Sequence, residues 1–223
     1  MAKVTVEGAP PAQSRPPRPR NRRGEGSLLR EDILAAATAI LERTHSEEAV
    51  TLRGIAREVG IAAPSIAPHF ADRTAIIDAV VSRELAVLLA MLRQAVATES
   101  DPVKRLLALC RTYVSYGRER PGRYGVLVGR RFLNDWQSLG RVMAETGPLM
   151  TAAIAMATDI IQACIDSGAS TSTDAFADTA VLWFSLHGLI TVPQAITSVD
   201  WPDHEQLFLA CVTRSAQLTT PGP

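Results

Sequence analysis

The stretch Thr51-Leu52-Arg53-Gly54-Ile55-Ala56-Arg57-Glu58-Val59-Gly60-Ile61 decides the fold. A threonine hydroxyl can accept from an unpaired first-turn N–H, so Thr51 marks a helix start. Leu52, Ile55, Ala56 and Val59 follow at helical spacing, and Gly60 suits the left-handed residue that closes a helix. Ile61 leads into a very short segment, Ala63-Pro64-Ser65-Ile66-Ala67. Asp72 can then cap a longer helix that carries Ile76, Ile77, Val80 and Val81 towards Met91 or Leu92. Short helix, tight turn, short helix is the helix-turn-helix spacing, in which the second helix meets base edges in the major groove. Helices that merely pack are joined by similar turns, so the bare pattern leaves both readings open.

Upstream, Ile33, Ala36, Ala37, Ile40 and Leu41 form an apolar stripe on a helix that starts near Leu28 and stops near Thr44-His45. Histidine tolerates positive φ better than most side chains, so His45 can take the left-handed exit. Downstream, Asp101-Pro102 pairs an N-cap with a proline at the first helical position. Helices are expected at about 102–119, 123–134, 140–166, 174–198 and 203–218. Period-2 alternation is nowhere sustained, and the chain reads as all-α, with about nine helices.

The composition agrees with a globular helical protein. Of 223 residues, 47% are apolar and only 5% aromatic, so Ala, Leu, Ile and Val must build the core. Cys110, Cys164 and Cys211 are widely spaced, without a C-x-x-C, which argues against a disulfide framework or a zinc site. No metal or cofactor is expected. The first residues offer no apolar leader, and the most apolar later stretches carry Arg83, Glu84 and Arg93, or Asp159, so no membrane span is expected. These features point to a soluble protein of the reducing cytoplasm.

The formal charge of zero hides an asymmetry. Residues 1–30 carry a net charge of +5 and residues 31–74 a net charge of −3. Pro10, Pro11, Pro16, Pro17 and Pro19 stand among arginines, and residues 1–27 read as a basic, disordered arm.

Three groups of residues together resemble a known family. Arg30-Glu31-x-Ile33-Leu34-x-Ala36-Ala37, the Thr51–Ile61 stretch, and His69-Phe70-x-Asp72-Arg73 resemble the DNA-binding domain of tetracycline-repressor-type (TetR/AcrR) regulators. Leu182-Trp183-Phe184-Ser185-Leu186-His187-Gly188 is similar to the Trp/His/Gly motif of one class of ligand-binding domains in that family. The resemblance implies a three-helix DNA-binding domain over residues 28–74, and a larger helical ligand-binding and dimerisation domain over 75–223. It implies a homodimer that binds a palindromic operator in double-stranded DNA and releases it when a small-molecule effector fills the second domain, hence a repressor and not an enzyme. By position, Thr51 and Arg53 would contact phosphate or a base. Ala63, Pro64, Ser65 and Ala67 would form the recognition surface, and His69 and Arg73 would hold the DNA backbone.

The chain departs from the family's usual pattern where Ala67 replaces a tyrosine. Pro68 has no N–H to give and biases Ala67 away from α geometry, so the recognition helix is expected to end early or run as a distorted turn. Base readout then falls on Arg53 and Ser65, with Pro64 and the alanines available for thymine methyls. Arg18, Arg20, Arg22 and Arg23 can compensate by entering the minor groove. A helical ligand-binding protein that has lost specific DNA recognition and acts through a protein partner is the alternative.

In the second domain Asp178, Ser185 and His187 share one helix, but His187 points away from the face of the other two and no nucleophile elbow accompanies them. The simpler reading pairs Trp183 with His187 at i, i+4. Tyr113, Tyr116, Tyr124, Phe132, Trp136, Phe176, Trp183 and Phe184, with Met143, Met150 and Met156, are either plain core or the wall of a mostly apolar cavity. The candidate ligand contacts are Tyr113, Tyr116, Phe132, Trp136, Met150, Trp183, Phe184 and His187, and Arg130 and Arg131 suit a carboxylate or a solvated helix end. The dimer is expected on the last two helices, through Phe176, Ala180, Trp183, Phe184, His187 and Ile190, and through Leu207, Phe208, Cys211, Val212 and Leu218.

Overall fold

Residues 26–128 and 136–219 are described by the computed structural model, with side chains for 27–128 and 147–219. Among these residues lie α1 (Gly26–Thr44), α2 (Leu52–Val59), a 3₁₀ turn (Ala63–Ile66), α3 (Arg73–Ala97), α4 (Pro102–Glu119), α5 (Pro121–Val128), α6 (Trp136–Asp166), α7 (Ala175–Ala195) and α8 (His204–Ser215). No strand occurs among the described residues; one isolated antiparallel bridge joins Ser170 to Leu218.

Local chemistry sets most boundaries. Thr51 Oγ1 accepts from the Gly54 N–H at 3.0 Å, and Gly60 closes α2 at φ 78°. Asp72, Asp101, Asp174 and Asp203 cap α3, α4, α7 and α8 in the same way. His45 does take the left-handed exit, at φ 51°. The expected helix at 123–134 begins earlier, at Pro121, because a proline at the first helical position sacrifices no hydrogen bond. The expected start at 140 lies at Trp136, and the expected ends at 198 and 218 lie at Ala195 and Ser215.

Two apolar clusters form the interior. Ile33, Ala37, Ile40, Val50, Ile55, Ile66, Phe70, Ile77 and Val80 close the first, around α1, α2 and the start of α3. The second gathers Leu88, Leu92, Leu106, Cys110, Ile160, Ile161, Leu182, Ile190, Phe208 and Val212 from α3, α4, α6, α7 and α8. Two elements belong to both. α3 gives Val80 and Val81 to the first cluster and Leu88 to the second; α5 gives Val126 to the first and Tyr124 to the second.

Gly147–Asp166 and Ala175–Ala195 are long and apolar enough to cross a membrane by length and composition. Each instead packs one face into the bundle, through Ala157, Ile160, Ile161 and Cys164, and through Ala175, Thr179, Leu182, Leu186 and Ile190. The apolar character of α7 is spread around its whole circumference, which is how a central or shared helix reads.

Candidate ligand chamber and DNA-facing surface

α3, α4, α5, α6 and α7 enclose a cavity of about 110 Å³. Leu85, Leu88, Leu89, Leu109, Leu127, Ile154 and Leu182 make most of its wall. One end is polar. His187 projects from α7, Tyr113 from α4 and Tyr124 from α5, and their ring centroids lie 5.7–6.1 Å apart. The Tyr124 hydroxyl is in close hydrogen-bond contact with His187 Nδ1, and the Tyr113 hydroxyl lies 3.1 Å from Nε2. The two hydroxyls are 3.4 Å from each other. Trp183 stacks edge-on against His187 at 4.9 Å, the i, i+4 pair that the sequence suggests.

Burial governs the titration of this pole. Desolvation lowers the His187 pKa to about 4, so the imidazole is neutral at physiological pH. It also raises Tyr113 to about 12 and pushes Tyr124 up. Thr179, also on the wall, spends its hydroxyl hydrogen on the Ala175 carbonyl at 2.7 Å. Among the described residues the lining carries no Arg, Lys, Asp or Glu.

Tyr113, Met150, Trp183 and His187 thus stand where the sequence places them, on the chamber wall. Tyr116 does not: it is fully buried beside the chamber, with its hydroxyl donating to Glu84 at 2.9 Å. Phe184 is 66% exposed and faces outward, since one residue past Trp183 on a helix turns about 100° away. Arg130, Arg131 and Phe132 lie outside the described residues, and Trp136 opens α6. Tyr124, one of the aromatics that the sequence groups as core or cavity wall, also lines the chamber, from the eight-residue α5. Asp178 and Ser185 have other partners, Gln217 and the Val181 carbonyl, so no relay reaches His187.

α5 also touches the N-terminal helices. Gly122 lies so close to α1 that a Cβ there would meet the Leu41 carbonyl oxygen at 2.3 Å. Arg123 Nε donates to Glu42 at 2.8 Å, and its Nη1 lies 3.5 Å from Glu84, which is 2% exposed. A charge buried this deeply needs partners, and Tyr116 and Arg123 supply them.

In and around α2 and the 3₁₀ turn, Thr51, Arg53, Pro64, Ser65 and Ala67 are exposed, and Ala63 and His69 half-buried. The recognition segment is a single 3₁₀ turn, shortened as Pro64 and Pro68 suggest. Ala67 nevertheless keeps α geometry at φ −53°, ψ −36°; the hydrogen bond from His69 N–H to the Ile66 carbonyl closes the turn around it. Arg73 is corrected from a DNA contact to a clasp. Its Nε donates to the Val50 carbonyl at 2.6 Å and its Nη2 to the Glu47 carbonyl, which fixes the loop before α2. Arg20, Arg22 and Arg23 lie outside the described residues.

The expected dimer surface divides. On α7, Phe176, Val181, Phe184 and Val192 are exposed. On α8, Phe208 and Val212 are buried within the chain, and Arg111 covers the Phe208 ring at 5.2 Å.

A helix-turn-helix arrangement in α1, α2 and the 3₁₀ turn is followed by a larger bundle of helices. Residues 106–214 match the family described as "Tetracyclin repressor-like, C-terminal domain", and the all-α fold is the one seen in tetracycline-repressor-type regulators. A protein of unknown function from Rhodococcus sp. RHA1 superposes with a TM-score of 0.72 at 24% identity, over 90% of this chain and 100% of its own. A tetR-family regulatory protein from Rhodococcus RHA1 gives 0.65 at 15% identity, over 87% and 98%. The transcriptional regulator FadR from Bacillus subtilis, in complex with stearoyl-CoA, gives 0.67 at 12%, over 83% and 97%. The nucleoid occlusion factor SlmA of Haemophilus influenzae (strain PittGG) is 23% identical over 124 residues, 54% of this chain and 57% of that protein's length.

Proposed function

We propose that this chain is a ligand-responsive DNA-binding transcriptional regulator of the tetracycline-repressor type, a homodimer released from a palindromic operator when a small molecule fills the chamber. The observation that carries the reading is the seating of Gly122 on the Leu41 carbonyl. Two positions separate Gly122 from Tyr124, so the same short helix forms the polar end of the chamber and abuts the first helix of the helix-turn-helix domain. Interfaces packed backbone to backbone do not deform continuously; a shift of Tyr124 moves α5 as a body and carries α1 with it.

On the DNA side Arg53 and Ser65 read bases, while Thr51, Ala63, Pro64, Ala67 and His69 shape the contact surface. Arg20, Arg22 and Arg23 of the arm add phosphate or minor-groove contacts. The exposed apolar face of α7 supplies the two-fold interface, and Trp183, His187 and Gly188 act as the ligand-domain motif. Half-sites then lie about 34–36 Å apart, or a multiple of that. FadR, bound to stearoyl-CoA, supports a small-molecule ligand with an apolar chain in this type of domain.

Selection of bound fragments from a random DNA pool tests the reading. A palindromic consensus is the expected result, with Arg53→Ala weakening binding by about 1–3 kcal/mol on that consensus and less on random DNA. The four-residue recognition turn favours a second reading, a ligand-binding protein that acts through a protein partner. Recovery of no consensus from the pool would select it.

A further inference from the structure

The polar end of the chamber has a hydrogen inventory that defines what can occupy it. A neutral imidazole has one N–H and one bare nitrogen, and each phenol has one O–H. The Tyr124 hydroxyl is in hydrogen-bond contact with Nδ1. The Tyr113 hydroxyl meets the imidazole edge to face, 3.1 Å from Nε2 and 3.4 Å from Nδ1, over the ring and in line with neither nitrogen. Among the described residues its other acceptor is the Tyr124 oxygen at 3.4 Å, well beyond the usual 2.7–2.8 Å for such a bond. The Tyr113 hydroxyl hydrogen is thus held only by long contacts, in a chamber whose described lining is mostly apolar.

We infer that the chamber binds an uncharged lipophilic molecule whose single strong acceptor, a carbonyl or an ether-type oxygen, takes the loosely held Tyr113 hydroxyl hydrogen of the Tyr113–Tyr124–His187 group. This deepens the proposed function and rests on its ligand-sensing half. An anion is poorly served here. A carboxylate offers about four lone-pair sites and must shed its water, and against that the described lining supplies a few neutral donors and no cation. The neutral state of His187 belongs to the same picture, because the apolar wall that repels a carboxylate also repels an imidazolium. A molecule without any acceptor would fit the wall but leave the donor unmatched, which costs affinity.

Three probes of one chain length separate these cases: decan-2-one, decanoate and decane, titrated into the full-length protein at neutral pH. Trp183, on the chamber wall, reports occupancy by its fluorescence. The ketone is expected to bind at least about tenfold more tightly than decanoate. Tyr113→Phe is expected to weaken the ketone by about three- to tenfold, the net worth of one hydrogen bond, while leaving decane unchanged. Tyr124→Phe repeats the test from the other phenol should Tyr113→Phe fail to fold. Decanoate binding as tightly as the ketone, no loss in either variant, or no binding of the ketone overturns the ligand class. Ketone binding that leaves affinity for the selected DNA unchanged overturns the regulator reading instead, and leaves the ligand class standing.

Discussion

Gly122 and the Leu41 carbonyl are in backbone contact: no side-chain atom can be inserted between α5 and α1 without moving one of them. Gly122→Ala is therefore expected to destabilise the protein by about 1–3 kcal/mol, the usual cost of overpacking. It should also loosen the link between ligand and DNA, because α5 is pushed off α1 in both states. Gly117→Ala is the comparison. Its Cβ would meet the Ile190 methyls at 2.8 and 2.9 Å and the Tyr124 ring at 3.1 Å, which are side chains and not backbone. Denaturant unfolding should show the larger loss for Gly122→Ala.

Arg73→Ala is expected to cost about 1–3 kcal/mol of stability, since the Val50 carbonyl loses the Arg73 donor and the Glu47 carbonyl keeps only the Val50 N–H. Its effect on DNA binding should follow from the displaced loop before α2. Arg53→Ala, on an exposed side chain, should change DNA affinity at constant melting temperature. Thermal melts beside binding isotherms distinguish a clasp from a contact.

His187 gives the stability a pH dependence. Its folded pKa of about 4 lies below its ordinary 6.5, so between these values the unfolded chain binds more protons than the folded one. The contribution is fully present above pH 6.5 and is lost progressively as the pH falls towards 4. Partial exposure of the ring makes the loss smaller than the full shift would give. Melting curves of wild type and His187→Gln across this window should differ in slope, with the variant flatter.

The two apolar helices at the C-terminal end separate assembly from folding. Phe184→Glu places a charge on the exposed face of α7 and should yield folded monomers that bind operator weakly. Phe208→Glu puts an unpaired charge in the core at a cost above about 4 kcal/mol, and should not fold. Light scattering with circular dichroism reads both outcomes.

These residues also mark where the sequence is legible. Thr51, Gly60, Asp72, Asp101-Pro102 and His45 act on backbone groups within a few positions, so their roles are written locally. Trp183 and His187 are legible for the same reason, four apart on one helix. Faces are harder. α7 is apolar all round, so periodicity cannot say that Trp183 turns inward and Phe184 outward, nor that Phe208 on α8 belongs to the core. The clasp of Arg73, the burial of Glu84 under Tyr116 and Arg123, and the place of Tyr124 depend on partners 23 to 63 residues away, which no local pattern encodes.

Filling the chamber is expected to change DNA binding through α5. Ala153 lines the chamber and lies far along the chain from the helix-turn-helix residues, so Ala153→Phe puts a ring where the ligand would be. The decisive measurement is the affinity of wild type and Ala153→Phe for the selected palindrome by fluorescence anisotropy, at matched helix content. At least about tenfold weaker binding by the filled variant, the size of a coupling of 1.4 kcal/mol, is the expected result. Equal affinity of the two proteins would contradict it.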